Sequence, residues 1–225
     1  MNKTISPVYF ILGSFFITSL LISNIIAGKL INIAGLTMTA GVILFPITYI
    51  IGNIITEVYG FIKSRLIIWV GFACNIFMVF VFMLAIELPS PSYWSHENSY
   101  ELVLGTTPKI VIASLIAYLL GEFTNSVVLS KLKVITKGRW LWLRTICSSI
   151  AGEGLDTVIF ITVVFHSIVP QNVLLQMIVF QYILKVSYQS IFTPVTYLVA
   201  KQIKTYENLD TYDFGVKYNP FRLDI

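Results

Sequence analysis

The sequence predicts an all-α integral membrane protein, a bundle of six transmembrane helices with both termini in the cytoplasm. Three observations carry this expectation. Of 225 residues, 56% are hydrophobic and only 12% charged, whereas a soluble domain carries roughly 25% charged residues to cover its surface. Mean hydropathy is +0.83, and apolar stretches long enough to cross a bilayer recur along the whole chain. The net charge of +4 is gathered in a few connecting segments, which fits membrane orientation and not nucleic-acid binding.

Taken in order, the expected spans are about 7–28, 36–57, 65–87, 109–131, 143–165 and 173–201, forming one transmembrane domain over 1–204 followed by a short cytoplasmic tail, 205–225. The first stretch is too long for the hydrophobic region of a signal peptide and lacks a small-x-small cleavage site, so it reads as a retained helix. It stops at Gly28-Lys29 before a short polar turn. The second span contains Pro46, expected to kink or break it. The third closes at Leu88-Pro89-Ser90-Pro91, opening the longest interior loop. That loop runs to Pro108 and holds Tyr93, Trp94, His96, Glu97 and Glu101. Pro170 separates the fifth span from the sixth, and Pro194 is expected to bend the sixth. Cys74 and Cys147 fall inside apolar helices, with neither metal-site spacing nor the exposure of a disulfide, and read as core residues.

Orientation follows from the basic residues. Lys3, Lys63, Arg65, Lys131, Lys133, Lys137, Arg139, Arg144, Lys201, Lys204, Lys217 and Arg222 all fall on one side of a six-span chain, and only Lys29 and Lys109 stand near the spans on the other. The positive-inside rule places the crowded side, with both termini, in the cytoplasm. Trp140 and Trp142 suit an interfacial belt on that face.

Ionisable residues within the spans are functional candidates, because a charge near the bilayer centre costs a few kcal/mol. Glu122, Glu153, Asp156 and Lys185 come from three spans, yet all fall near one middle layer. Glu153 and Asp156, for example, follow Arg144 by about 13–18 Å of helix at 1.5 Å per residue. Each lies in a polar stripe at helical spacing. Tyr118, Glu122 and Asn125 share a face of span four; Ser149, Glu153, Asp156 and Phe160 share one of span five; and Gln181, Lys185, Tyr188 and Gln189 share one of span six. Asn53 and Glu57 align on span two, and Ser23, Asn24 and Lys29 crowd the end of span one. Such faces turn inward, since lipid cannot satisfy them. The amides alone are accounted for by interhelical hydrogen bonds. The charges are not: three carboxylates face one lysine, so the excess is expected to hold protons, a cation or a donor-rich ligand. Glu57 and Arg144, at the inner boundary, are candidates for gating or proton-linked roles. Pairing with Lys63 or Arg65 accounts for Glu57 equally well, and an interfacial anchor accounts for Arg144.

Catalysis is not expected. Only one aspartate is embedded, both histidines (His96 and His166) fall at the external surface, no zinc ligand set is present, and no phosphate-cradling glycine loop appears. No metal and no cofactor is therefore anticipated.

The segments Thr56-Glu57-Val58-Tyr59-Gly60, Gly121-Glu122-Phe123-Thr124-Asn125-Ser126 and Gly152-Glu153-Gly154-Leu155-Asp156-Thr157 resemble the bacterial queuosine-precursor transporter family, which is also grouped with vitamin-uptake transporters. Arg144-Thr145, Asn24 to Lys29 and Asn219-Pro220-Phe221 extend the resemblance over nearly the entire chain. It implies an inner-membrane carrier for 7-deazaguanine bases: the cyano or aminomethyl base, or queuine. The residues suit that implication. A guanine-type edge presents a ring N–H beside an amino group, which one carboxylate accepts bidentately. The expected substrate contacts are thus Glu153 and Asp156, with Glu122 and Lys185 as partners or proton-linked groups. Phe160 or Tyr188 would stack on the ring, and Asn125, Asn24 and Gln181 would read its carbonyl and ring acceptors. Two alternatives stand beside this: the substrate-binding subunit of another vitamin transporter driven by a separate ATP module, and a non-transporting membrane scaffold.

Overall fold

The computed structural model describes residues 6–33 and 35–221, with the helical backbone alone at 106–109. Lys3 and Arg222, and the side chain of Lys109, lie outside the described residues. Five helices dominate: α1 (Pro7–Ile26), α2 (Phe45–Glu87), α3 (Glu97–Ile135), α4 (Leu141–Phe165) and α5 (Gln171–Glu207). Among the described residues, α1, α2, α3 and α4 are long and apolar enough to cross a membrane.

Helix α1 begins as its sequence dictates. Ser6 accepts from the Tyr9 amide at 3.2 Å and Pro7 occupies the first turn, where its missing N–H costs nothing. Between α1 and α2 the chain departs from expectation. The sequence predicts residues 36–44 as the start of the second span; instead Leu36–Thr39 (β2) pairs antiparallel with Leu30–Ile33 (β1), Leu30 opposite Thr39, and Ala40–Ile43 forms a 3-10 turn. The β-branched and apolar run serves a half-buried strand as readily as a helix, and hydropathy does not separate the two. Pro46 corrects a second expectation. It stands in the first turn of α2 and starts the helix without kinking it.

The interruption in α2 falls at Gly60, whose φ of 82° and ψ of 174° are non-helical. A helix of 43 residues would run about 65 Å, twice the ~30 Å hydrocarbon core. Gly60 divides it into two helices, each of bilayer scale or less. A side chain there would suffer both the positive φ and a collision, since a Cβ would stand 2.8 Å from Asp213 Oδ1 and from Thr211 Cγ2. The bared amide of Phe61 donates to Asp213 Oδ2 at 2.9 Å, so the far end of the chain caps the second half of α2.

Helix α3 starts at Glu97, with that carboxylate in its first turn, so residues 97–108, predicted as loop, extend the fourth span. An acidic first turn is favoured by the helix dipole. Helix α5 runs through Pro194 without interruption. The intimacy of α3 and α4 comes from facing glycines: a Cβ on Gly152 would stand 2.7 Å from the Gly121 carbonyl oxygen, and one on Gly121 would stand 3.0 Å from that of Gly152. Small residues at such a crossing let backbones approach where no hydrophobic effect drives helices together.

Both ends of the described chain meet at one end of the bundle. The Ser6 hydroxyl donates to the Glu207 carboxylate, and the Tyr9 hydroxyl donates to Lys63 O at 2.9 Å. Beyond α5 the tail folds back over this terminal end. The Thr211 amide donates to Val58 O at 3.2 Å, Arg65 donates to Asn219 O at 3.0 Å and Trp69 Nε1 donates to Pro220 O at 2.7 Å.

The distribution of polarity is that of a protein in lipid. Phe10, Phe15, Phe77, Phe80, Ile116 and Leu198 are exposed, whereas Asn24, Asn53, Glu122, Glu153, Gln181 and Gln189 are buried. Water would reverse that preference; hydrocarbon demands it. The chain is a multi-pass membrane protein.

Candidate functional site

Three helices deliver the mid-bundle charges to one place. Asp156 of α4 accepts from Lys185 Nζ of α5 at 2.7 Å, and the same ammonium donates to Thr157 Oγ1 at 3.1 Å. Lys185 also lies 5.1 Å from the centroid of the Phe45 ring, and Phe45 meets Phe160 edge-on at 6.3 Å. Glu122 of α3 and Glu153 of α4 share the electrostatic neighbourhood of this pair. The Glu122 carboxylate rests against the glycine face of α2, where a Cβ at Gly52 would stand 3.2 Å from Oε2.

One lysine is thus engaged with one aspartate, and two glutamates are left over. All four oxygens of Glu122 and Glu153 are buried and lack any hydrogen-bond partner. Donors on the same inward-facing helices are unpaired too: Tyr49 OH, Ser149 Oγ, Gln181 Nε2 and Gln189 Nε2 are likewise buried and unpartnered. Buried polar groups in folded proteins are almost always satisfied, because an unmet donor or acceptor costs about 1–3 kcal/mol. Unmet donors and acceptors thus gather on the inward faces of these helices, a set whose hydrogen bonds a polar ligand would complete.

A second ionic cluster lies at the terminal end. Glu57 Oε1, wholly buried, receives Lys204 Nζ at 2.6 Å, Arg144 Nη2 at 3.2 Å and Lys133 Nζ at 3.6 Å. Lys133 and Lys204 also reach Asp210 Oδ1 of the tail, at 2.6 and 2.9 Å. Burial pushes the Asp210 carboxyl up, but hydrogen bonds and charge from Lys133 and Lys204 outweigh it and hold the group below the usual carboxylate range. One carboxylate from α2 therefore ties α3, α4 and α5 together, with the tail closing the cluster from outside.

This overturns the expected partners of Glu57. Neither Lys63 nor Arg65 pairs with it: Lys63 sits over the Tyr9 ring and Arg65 serves the tail, since Gly60 turns the chain away after Glu57. Nor is Arg144 an interfacial anchor, being 1% exposed and committed to Glu57 and to Gly138 O at 3.3 Å.

Of the expected substrate contacts, Glu122, Glu153, Asp156, Lys185 and Phe160 come together. Gln181 joins through the hairpin: Thr39 N and Oγ1 both lie 3.4 Å from its Oε1, leaving Nε2 unpaired. Asn125 donates to Asn53 Oδ1 at 2.8 Å. Asn24 donates to Asn75 Oδ1 at 2.7 Å, bridging α1 to the second half of α2, and no described hydrogen bond links it to the carboxylates. Tyr188 stacks on Phe192 at 4.4 Å. Sequence reasoning missed Tyr49 and Thr39. Tyr49 was findable, since Phe45, Tyr49 and Asn53 recur every four residues and continue the Asn53–Glu57 stripe upward by two turns. Thr39 was hidden by the misassigned strand.

A family model described as "Putative vitamin uptake transporter" matches residues 39–199. A curated protein of Bacillus subtilis (strain 168), "Probable queuosine precursor transporter", is 26% identical over 182 residues, covering 80% of this chain and 80% of its own length. No solved structure matches the chain. The matched stretch of the family runs from Thr39 to Val199 and so includes every charged residue of the central layer.

Proposed function

Because the chain belongs to this vitamin uptake transporter family, and is a transporter and not an enzyme, we propose that it imports 7-deazaguanine precursors of queuosine for tRNA modification. In this reading the chain crosses the inner membrane six times, the two halves of α2 each counting as one crossing and α5 as the last. Both termini are cytoplasmic, because the basic residues gather at the terminal end. The single observation that carries the reading is the pair of buried, unpartnered carboxylates, Glu122 and Glu153. A guanine-type edge offers adjacent N–H and amino donors to one of them, and an aminomethyl cation suits the other. Phe160, edge-on to Phe45 beside Lys185, supplies an aromatic wall. The Glu57 cluster acts as the inner gate in the same scheme, since opening toward the cytoplasm must part helices that this one carboxylate joins.

Uptake of labelled base by cells unable to synthesise it tests the proposal. Glu122→Gln and Glu153→Gln are expected to lower uptake roughly tenfold or more, the loss of a charge-assisted hydrogen bond worth about 1.5–3 kcal/mol. Near-normal uptake by both variants, at equal membrane abundance, refutes the assignment.

A further inference from the structure

Tyr49 is a large polar side chain beside the central charges that neither the ion pairs nor the family motifs account for. It is 2% exposed, and its hydroxyl lacks any hydrogen-bond partner. Its position is specific. A Cβ on Gly121 would stand 2.7 Å from the Tyr49 hydroxyl and 2.8 Å from Asp156 Cβ, so the absence of a side chain at Gly121 makes the notch that the phenol fills between α3 and α4. The charged groups acting on it are Asp156 first, then Glu122 and Glu153. Asp156 thus flanks the same Gly121 notch, and the hydroxyl is a neutral donor with no hydrogen-bond partner.

A ligand bound through its N–H groups to a carboxylate would bring any adjacent carbonyl into the same neighbourhood, where a carboxylate repels it and a phenol welcomes it. We infer that the Tyr49 hydroxyl is a specificity-determining contact that donates to the carbonyl of a lactam-bearing bicyclic base, beside the carboxylate that receives the ring N–H. This rests on the deazaguanine reading above and adds to it a donor, a substrate atom and a reason for Gly121. The arrangement would reject bases with an amino group in place of the carbonyl, which would set donor against donor.

The test uses the purified full-length chain, wild type and Tyr49→Phe, with 7-deazaguanine and its 6-thio analogue as probes in equilibrium binding. The thione keeps the ring N–H and the amino group but offers sulfur, a poor acceptor. Tyr49→Phe is expected to weaken 7-deazaguanine binding about tenfold, the scale of one neutral hydrogen bond in a buried site, and to change 6-thio binding threefold or less. Because the hydroxyl is unpartnered without ligand, the variant is expected to keep or raise the melting temperature of the empty protein. Equal losses for both probes, or no loss for either, overturn the inference while leaving deazaguanine transport standing. A lower melting temperature overturns it too, since the hydroxyl would then serve the fold. Failure of the wild type to bind either probe removes the deazaguanine reading itself, and the Tyr49 contact with it.

Discussion

At the scale of single residues, charge pairing decides which side chains are structural and which are open. Asp156 and Lys185 neutralise one another at 2.7 Å, a buried pair whose worth shows only when one member is removed. Lys185→Met strands Asp156 in a low-dielectric layer and is expected to destabilise the detergent-solubilised protein by about 3–5 kcal/mol. Adding Asp156→Asn to that variant should restore most of the loss, because the stranded charge disappears. Thermal unfolding of the single and double variants measures both, and equal melting temperatures for the two would contradict the pairing. Glu122 and Glu153 differ in kind. Lacking partners, they are expected to tolerate Gln with little change in melting temperature while uptake falls. Their excess was legible in the sequence as arithmetic, three carboxylates against one lysine. Which carboxylate the lysine chooses was not, because that depends on how α4 and α5 rotate against each other.

Elements set where these residues meet. The α3–α4 crossing is built on Gly121 and Gly152, and a methyl at Gly152 would meet both the Gly121 carbonyl oxygen at 2.7 Å and Asn125 Cβ at 2.6 Å. Neither can withdraw without moving a helix, so Gly152→Ala is expected to cost about 1–3 kcal/mol as an overpacked contact, read as a lower unfolding temperature. The break in α2 makes a different demand. Asp213 caps Phe61 at 2.9 Å and takes Ser130 Oγ at 2.6 Å, while Asp210 engages Lys133 and Lys204. The tail is thereby bound to the Glu57 cluster and to the break in α2, and is not a free extension. Since the Asp210 carboxyl is held below its ordinary value, its contribution is present above the unfolded-state value of about 3.9 and is lost as pH falls through the lower folded value. Tail contacts should persist at neutral pH and loosen only under strong acid, and added salt should weaken this half-exposed bridge. Protection of the 208–221 amides from hydrogen exchange reports both effects; protection unchanged by acid would show that the carboxylate is idle. None of this docking was legible in the sequence, where residues 205–225 show only a polar, proline-containing end. The helices themselves were legible from apolar length. The hairpin was not, because a short half-buried strand and a helix start share the same apolar composition.

Across the whole molecule the charges are sorted by depth. The centre is acidic in excess, with Glu122 and Glu153 unanswered. The terminal end is basic in excess, with Lys133, Arg144 and Lys204 around Glu57 and Asp210. Under the proposed function, a donor-rich base entering from outside would be held at the centre, and its release inward would need the Glu57 cluster to open. Away from both, Trp69, Phe123, Pro220 and Phe221 help line an apolar cavity of about 530 Å³ between α2, α3 and the tail, whose walls offer lipid chains a surface and a polar base almost nothing. The most direct measurement is a structure of the full-length protein in lipid with 7-deazaguanine bound. The account predicts a planar ligand between the first half of α2, α3, α4 and α5, with its donors within about 3.2 Å of Glu122 or Glu153. Ligand seated only in the apolar cavity, or a central layer in which both glutamates bond to protein groups and exclude it, would contradict the account.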